Sequence, residues 1–216
     1  MEISAVILAA GYASRMGRLK ALLPLEGETL LQRAVRIFKI AGVTDIVVVT
    51  GYEHEKIQAS LADSIVRIVF NPFFDQEMLV SVKTGAASLN SQAEAFYVLP
   101  VDTPLQSADI LLQMNKVMAE AGPGIIVHPC YQGRRGHPPL IGTAYINALL
   151  QWNGSGGLKA FLHDYRDQAF DVDFWDPYIL YDIDTPEEYR CLKEDLRSNA
   201  TIPLILENEG TSFRNC

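Results

Sequence analysis

Short, mostly apolar runs alternate along this chain with segments whose apolar residues recur every three or four positions. The runs at residues 5–10, 45–50, 65–70, 95–99 and 125–128 have strand length. Within the second, Ile46-Val47-Val48-Val49 has no polar alternation, the mark of a strand covered on both faces. Between the runs, residues 30–41 place Leu30, Leu31, Ala34, Val35 and Phe38 on one helical stripe. Residues 53–62, 80–89 and 108–121 read as further helices, the last stopped by Gly122-Pro123-Gly124. Buried strands with helices between them predict an α/β fold in three α/β/α layers around a mostly parallel sheet.

The pattern breaks after Cys130. Gly133-Arg134-Arg135-Gly136-His137-Pro138-Pro139 holds two glycines and two prolines in seven residues and is expected to be irregular. Asn153-Gly154-Ser155-Gly156-Gly157 is a second irregular loop, followed by a helix over residues 158–165. Asp184-Thr185-Pro186-Glu187-Glu188 opens a final helix, with Pro and acids in its first turn, running to about Arg197. One domain over residues 1–198 and a tail over 199–216 are expected, without internal repeats.

Composition narrows the classes. A length of 216 residues suits one sizeable core. The net charge of −8 argues against nonspecific nucleic-acid binding, which rests on Lys and Arg against phosphates, though it permits a local basic pocket. Cys130, Cys191 and Cys216 are odd in number and lack metal spacing, as free thiols in a reducing compartment would be. With no basic leader and no run near the roughly 20 apolar residues of a membrane span, a cytoplasmic protein is expected.

Four constellations could carry chemistry. Leu8-Ala9-Ala10-Gly11 ends the first strand and leads to Ser14, Arg15, Gly17 and Lys20, so backbone amides and two cations meet at the sheet edge where α/β proteins bind ligands. Met16 stands where a Walker motif has its second glycine, and Ala13 replaces the middle glycine of a dinucleotide fingerprint. Leu99-Pro100-Val101-Asp102-Thr103-Pro104 places Asp102 at another strand end, as a cation ligand or as a turn or helix cap. Alternation along Asp182-Ile183-Asp184 would point both carboxylates one way; Asp184 could ligate a metal, cap the last helix, or do both. His137, beside Arg134 and Arg135, suits an anion such as a phosphomonoester, with Lys159 as a second wall.

The opening Val6-Ile7-Leu8-Ala9-Ala10-Gly11, then Ser14-Arg15-Met16-Gly17, Lys20 and Leu22-Leu23-Pro24-Leu25, resembles the signature of the MobA-like nucleotidyltransferases, and is similar in particular to the molybdenum cofactor cytidylyltransferase branch. The resemblance implies a Rossmann-like sheet of the nucleotide-diphospho-sugar transferase type. It also implies transfer of a nucleoside monophosphate from an NTP, with Mg²⁺, to a phosphorylated small molecule. Ala-Ala-Gly in the first loop implies CTP, and the branch implies molybdopterin as acceptor and a molybdoenzyme or chaperone as partner protein. On this resemblance Leu8, Ala9, Ala10, Gly11, Ser14, Arg15, Gly17, Lys20 and Ser81 bind the nucleotide. Arg15, Lys20 and Asp102 are catalytic, and Asp102, Asp184 and Asp182 hold the metal. Arg135, His137 and Lys159 bind the acceptor. Met78 and Leu79 read as helix core. Sugar-phosphate or alcohol-phosphate transfer, and a non-catalytic cofactor-handling protein of the same fold, are the alternatives.

Overall fold

The computed structural model describes residues 1–12, 16–104 and 107–199, with side chains described only up to residue 196. Its strands are β1 (Ile3–Ala9), β2 (Pro24–Leu25), β3 (Glu28–Thr29), β4 (Asp45–Thr50), β5 (Arg67–Phe70), β6 (Ala95–Pro100), β7 (Ile126–Tyr131), β8 (Arg134–Arg135), β9 (Leu140–Gly142) and β10 (Ala169–Asp173). Its helices are α1 (Leu30–Ile40), α2 (His54–Ser60), α3 (Met78–Ala86), α4 (Ala108–Ala121), α5 (Ile146–Gln151), α6 (Gly157–Asp164) and α7 (Pro186–Asn199).

The main sheet runs β10-β7-β9-β6-β1-β4-β5, with β8 paired to β7, while β2 and β3 form a separate hairpin. β1 lies parallel between β4 and β6, where Ile7 faces Val48 on one side and Leu99 on the other. β9 is antiparallel to both β6 and β7, which makes the sheet mixed but mostly parallel. Alternate residues of each central strand feed separate cores. Ala5, Ile7 and Ala9 pack under α1 and α4 with Phe38, Leu111 and Met114; Val6 and Leu8 pack under α3, α5 and α6 with Val82, Leu149 and Phe161. The three-layer architecture expected from the sequence is what forms.

Local chemistry explains the borders. Thr29 and Gln32 form a reciprocal capping box at the start of α1, with side-chain bonds of 3.2 Å and 2.9 Å. Ser107 caps α4, and Gly122 ends it in a left-handed conformation (φ 85). At α7 the cap falls to Thr185: its Oγ1 accepts from Glu188 N, while Glu188 Oε2 accepts from the Asp184 and Thr185 amides. The capping role considered for Asp184 therefore belongs to its neighbour.

The structure also corrects the sequence reading. The stretch at 133–139 is not wholly irregular, because Arg134–Arg135 pairs with Cys130 and Tyr131 as β8. The His137–Pro138 peptide is cis. Residues 181–184 are not a strand, so the alternation argument for Asp182 and Asp184 does not apply. The short β9 and the polar edge strand β10 were not foreseen. No helix among the described residues is long and apolar enough to cross a membrane.

Two predictions test this packing. A Cβ at Gly85 in α3 would lie 2.3 Å from Val6 Cγ1 in β1. Gly85→Ala should lower stability by about 1–3 kcal/mol through overpacking, despite the better helix propensity of Ala. Gly124→Ala, where a Cβ meets nothing within 4 Å, should be near neutral in the same denaturant titration. His128 in β7 is 4% exposed, and burial, helped by Arg135, pulls its titration down to about 4. Neutral His128 therefore contributes its full stability above pH 6.5. That contribution is lost as the pH falls towards 4, because the unfolded chain takes up its proton first. His128→Gln should flatten this acid slope, a difference on the order of 3 kcal/mol between pH 7 and pH 4.

Candidate active site

The carboxyl ends of β1, β5 and β6 open into one cleft of about 370 Å³. This lies beside the switch point of the sheet, where strand order departs in opposite directions from β1. Residues 8–12 form its floor, Lys20 and Asp102 one side, and Phe74, Asp75, Gln76, Met78 and Ser81 the other. At Gly11 an added Cβ would meet nothing within 4 Å, and its backbone is not among the left-handed glycines. Neither packing nor strain within the chain calls for glycine there.

Lys20 is the hub. Its Nζ donates to Asp102 Oδ2 at 2.9 Å and to Asp184 Oδ1 at 2.8 Å, joining segments 82 and 164 residues away in sequence. The lysine side chain is 16% exposed, Asp102 27% and Asp184 36%. Burial works against the Lys20 charge, but hydrogen bonds to Asp184 and Asp102 outweigh it and raise the pKa. Backbone contacts hold the arrangement. Thr103 N and Oγ1 both donate to Pro100 O, fixing the turn that carries Asp102, and Arg33 Nε donates to Pro104 O. Ile183, fully buried, donates its amide to Asp102 O at 2.9 Å and so brings Asp184 alongside.

Asp182 is exposed, and its pKa is raised by burial of its carboxyl and by the charges of Asp184 and Asp102. His137 feels the same cluster: burial lowers its pKa, while Asp102 and Asp182 pull it upwards. Its amide donates to Ile179 O, and its buried Nδ1 has no partner among the described residues.

The structure brings Leu8, Ala9, Ala10, Gly11, Lys20, Ser81 and Asp102 to the cleft, with Asp184 behind Lys20. Gly17 takes a left-handed turn (φ 60) outside the lining. Arg135 is held away from the cleft lining by Asp171, whose carboxylate accepts from its Nε at 2.7 Å, and Lys159 is exposed on α6. Ser14 and Arg15 lie outside the described residues, as does the tail from residue 200. Met78 is 53% exposed and lines the cleft, contrary to the core role read from sequence, whereas Leu79 is buried as expected. Phe74, Asp75 and Gln76 were missed. Their signal was their position, just after a parallel strand and before a helix.

Two carboxylate oxygens within 3 Å of one point suit a hard divalent cation, whose remaining positions nucleotide phosphates and water can fill. Among the described residues no group of three or more His, Cys, Asp or Glu could hold a metal by itself.

Residues 5–169 match the MobA-like NTP transferase domain. The chain is 30% identical over 194 residues to the molybdenum cofactor cytidylyltransferase of Escherichia coli K12, covering 89% of this chain and 96% of that one. It is also 30% identical over 200 residues to the nicotine blue oxidoreductase of Paenarthrobacter nicotinovorans, covering 88% and 96%. A crystal structure of Rv0371C from Mycobacterium tuberculosis in complex with manganese shares the fold, with a TM-score of 0.73, 23% identity and coverage of 90% and 99%. By the match over residues 5–169, the chain belongs to the MobA-like NTP transferase family.

Proposed function

We propose that this protein transfers a nucleoside monophosphate, CMP from CTP, to the phosphate of a small-molecule acceptor, molybdopterin, with release of pyrophosphate. The observation that carries the transfer reading is the convergence of Lys20, Asp102 and Asp184 beside the open loop at Gly11. The choice of CTP and molybdopterin rests on the name of the Escherichia coli relative and on the Ala-Ala-Gly sequence of the first loop.

The residues divide the work as follows. The backbone amides from Ala10 to Gly17 receive the β and γ phosphates, and Gly11 leaves room for their approach. Lys20 turns its ammonium from the carboxylates to the α-phosphate as the nucleotide enters, balancing charge where the new bond forms. Arg15 stabilises the leaving pyrophosphate. Asp102 and Asp184, with Asp182 in support, hold Mg²⁺, which when bound neutralises triphosphate charge. The attacking oxygen belongs to an acceptor phosphate that is already ionised at neutral pH. The chain therefore has to position and neutralise, and needs neither a nucleophile nor a general base of its own. His137, Arg135 and Lys159 are assigned to the acceptor side, with Arg135 first having to leave Asp171. A molybdoenzyme or its chaperone is the protein partner such a product requires.

The oxidoreductase name carried by one relative defines the rival activity to exclude. Pyrophosphate release should be measured with Mg²⁺, each of the four NTPs and phosphorylated acceptors, molybdopterin included. Release with CTP and molybdopterin is expected. Oxidation of NADH or NADPH without pyrophosphate release under any combination would overturn the reading. Asp102→Asn should cut transfer about 100-fold or more while leaving the melting temperature unchanged. A collapse in stability would instead mean that Asp102 is structural. Gly11→Val should fold normally and raise KM for the nucleotide about tenfold, roughly 1.4 kcal/mol of lost binding. An unchanged KM would remove the phosphates from this loop.

A further inference from the structure

The wall of the cleft opposite Lys20 is organised by one buried amide. Asn71, 1% exposed, follows β5, and its backbone N–H donates to Thr50 O at the end of β4 at 2.8 Å. Its Oδ1 accepts from Phe73 N at 2.9 Å, and its Nδ2 donates to Ser81 Oγ at 2.9 Å. The Phe73 amide can only donate, so the oxygen of Asn71 must face it and the NH₂ must face Ser81. The direction of the Asn71–Ser81 bond is thereby fixed.

That direction has a consequence for Ser81. The hydroxyl uses one lone pair to accept from Asn71 and keeps its single proton for another acceptor. Nearby, Thr84 and Ser88 return theirs to carbonyls four residues back, Val80 O and Thr84 O. Ser81 makes no such bond among the described residues, although it is 5% exposed and lines the cleft. A buried donor without an acceptor is costly, and a ligand oxygen in the cleft would satisfy it.

We propose that Asn71 is a positioning residue for nucleotide recognition: by donating to Ser81 Oγ, it makes the Ser81 hydroxyl a donor to an uncharged oxygen of the bound nucleoside, either the ribose 2′-hydroxyl or a base carbonyl. This rests on the reading of the cleft as an NTP site.

Asn71→Asp tests it, because a carboxylate still accepts from Phe73 N but now also accepts from Ser81, turning the serine proton away from the ligand. Binding of Mg²⁺-CTP to the whole chain, followed by calorimetry, should weaken about tenfold in Asn71→Asp and in Ser81→Ala, with the double variant no weaker than either single one. Ser81→Ala supplies the result if Asn71→Asp does not fold, and Ser81→Thr should restore affinity. Comparing CTP with 2′-deoxy-CTP separates the two oxygens. A Ser81→Ala loss seen only with CTP assigns the ribose hydroxyl, and an equal loss with both assigns the base carbonyl. Wild-type affinity in folded Ser81→Ala, or additive losses in the double variant, would overturn the proposal while leaving the NTP site intact. Absence of binding to the wild-type chain by any Mg²⁺-NTP would overturn the NTP reading and this inference with it.

Discussion

Two carboxylates from distant segments of the chain, held against one ammonium, are the constraint around which this molecule is arranged. Asp102 and Asp184 repel each other at short range, and both give up part of their hydration at the sheet edge. Lys20 makes their closeness tolerable by bonding to both. Each charge arrives on a separate support. Lys20 follows the loop after β1, Asp102 the turn after β6, and Asp184 the segment before α7. The parallel pairing of β1 with β6 makes the first two neighbours, and the Ile183–Asp102 backbone bond adds the third.

The same placement links stability to function. Thr103, 3% exposed, spends its hydroxyl on the turn below Asp102, and Ile183 sits wholly in the core, so the carboxylates project from rigid ground. Lys20, by contrast, reaches them through a flexible stem and is the member best able to change partners. Across the cleft, Asn71 provides matching rigidity behind Ser81. One wall therefore carries the Lys20–Asp102 pair, and the other carries the Ser81 hydroxyl that Asn71 orients.

Much of this was legible in the sequence, for physical reasons that can be named. Mostly apolar runs gave away the strands, and Gly122 marked the end of α4. Lys20 and Asp102 stood out because the family resemblance carried both, one in the loop after β1 and the other in the turn after β6. What stayed hidden was decided by tertiary contacts. β10, Ala-Phe-Asp-Val-Asp, is a polar edge strand whose pairing with β7 no alternation reveals. Asp184 read as a possible cap of the last helix until the bonds between Thr185 and Glu188 showed the cap one residue on. The buried Asn71 side chain was invisible as well, since nothing local foretells its bonds to Phe73 and Ser81. Arg135 looked available to an anion until Asp171 was found beside it.

The central claim is that the point between Asp102 and Asp184 belongs to a divalent ion when nucleotide is present, with Lys20 then serving the α-phosphate. A crystal structure with Mn²⁺ and a non-hydrolysable CTP analogue, read by anomalous scattering, tests it most directly. The account predicts manganese bound to both carboxylates and the Lys20 ammonium on an α-phosphate oxygen. Manganese bound elsewhere, with Lys20 still bridging the two aspartates beside the nucleotide, would contradict it.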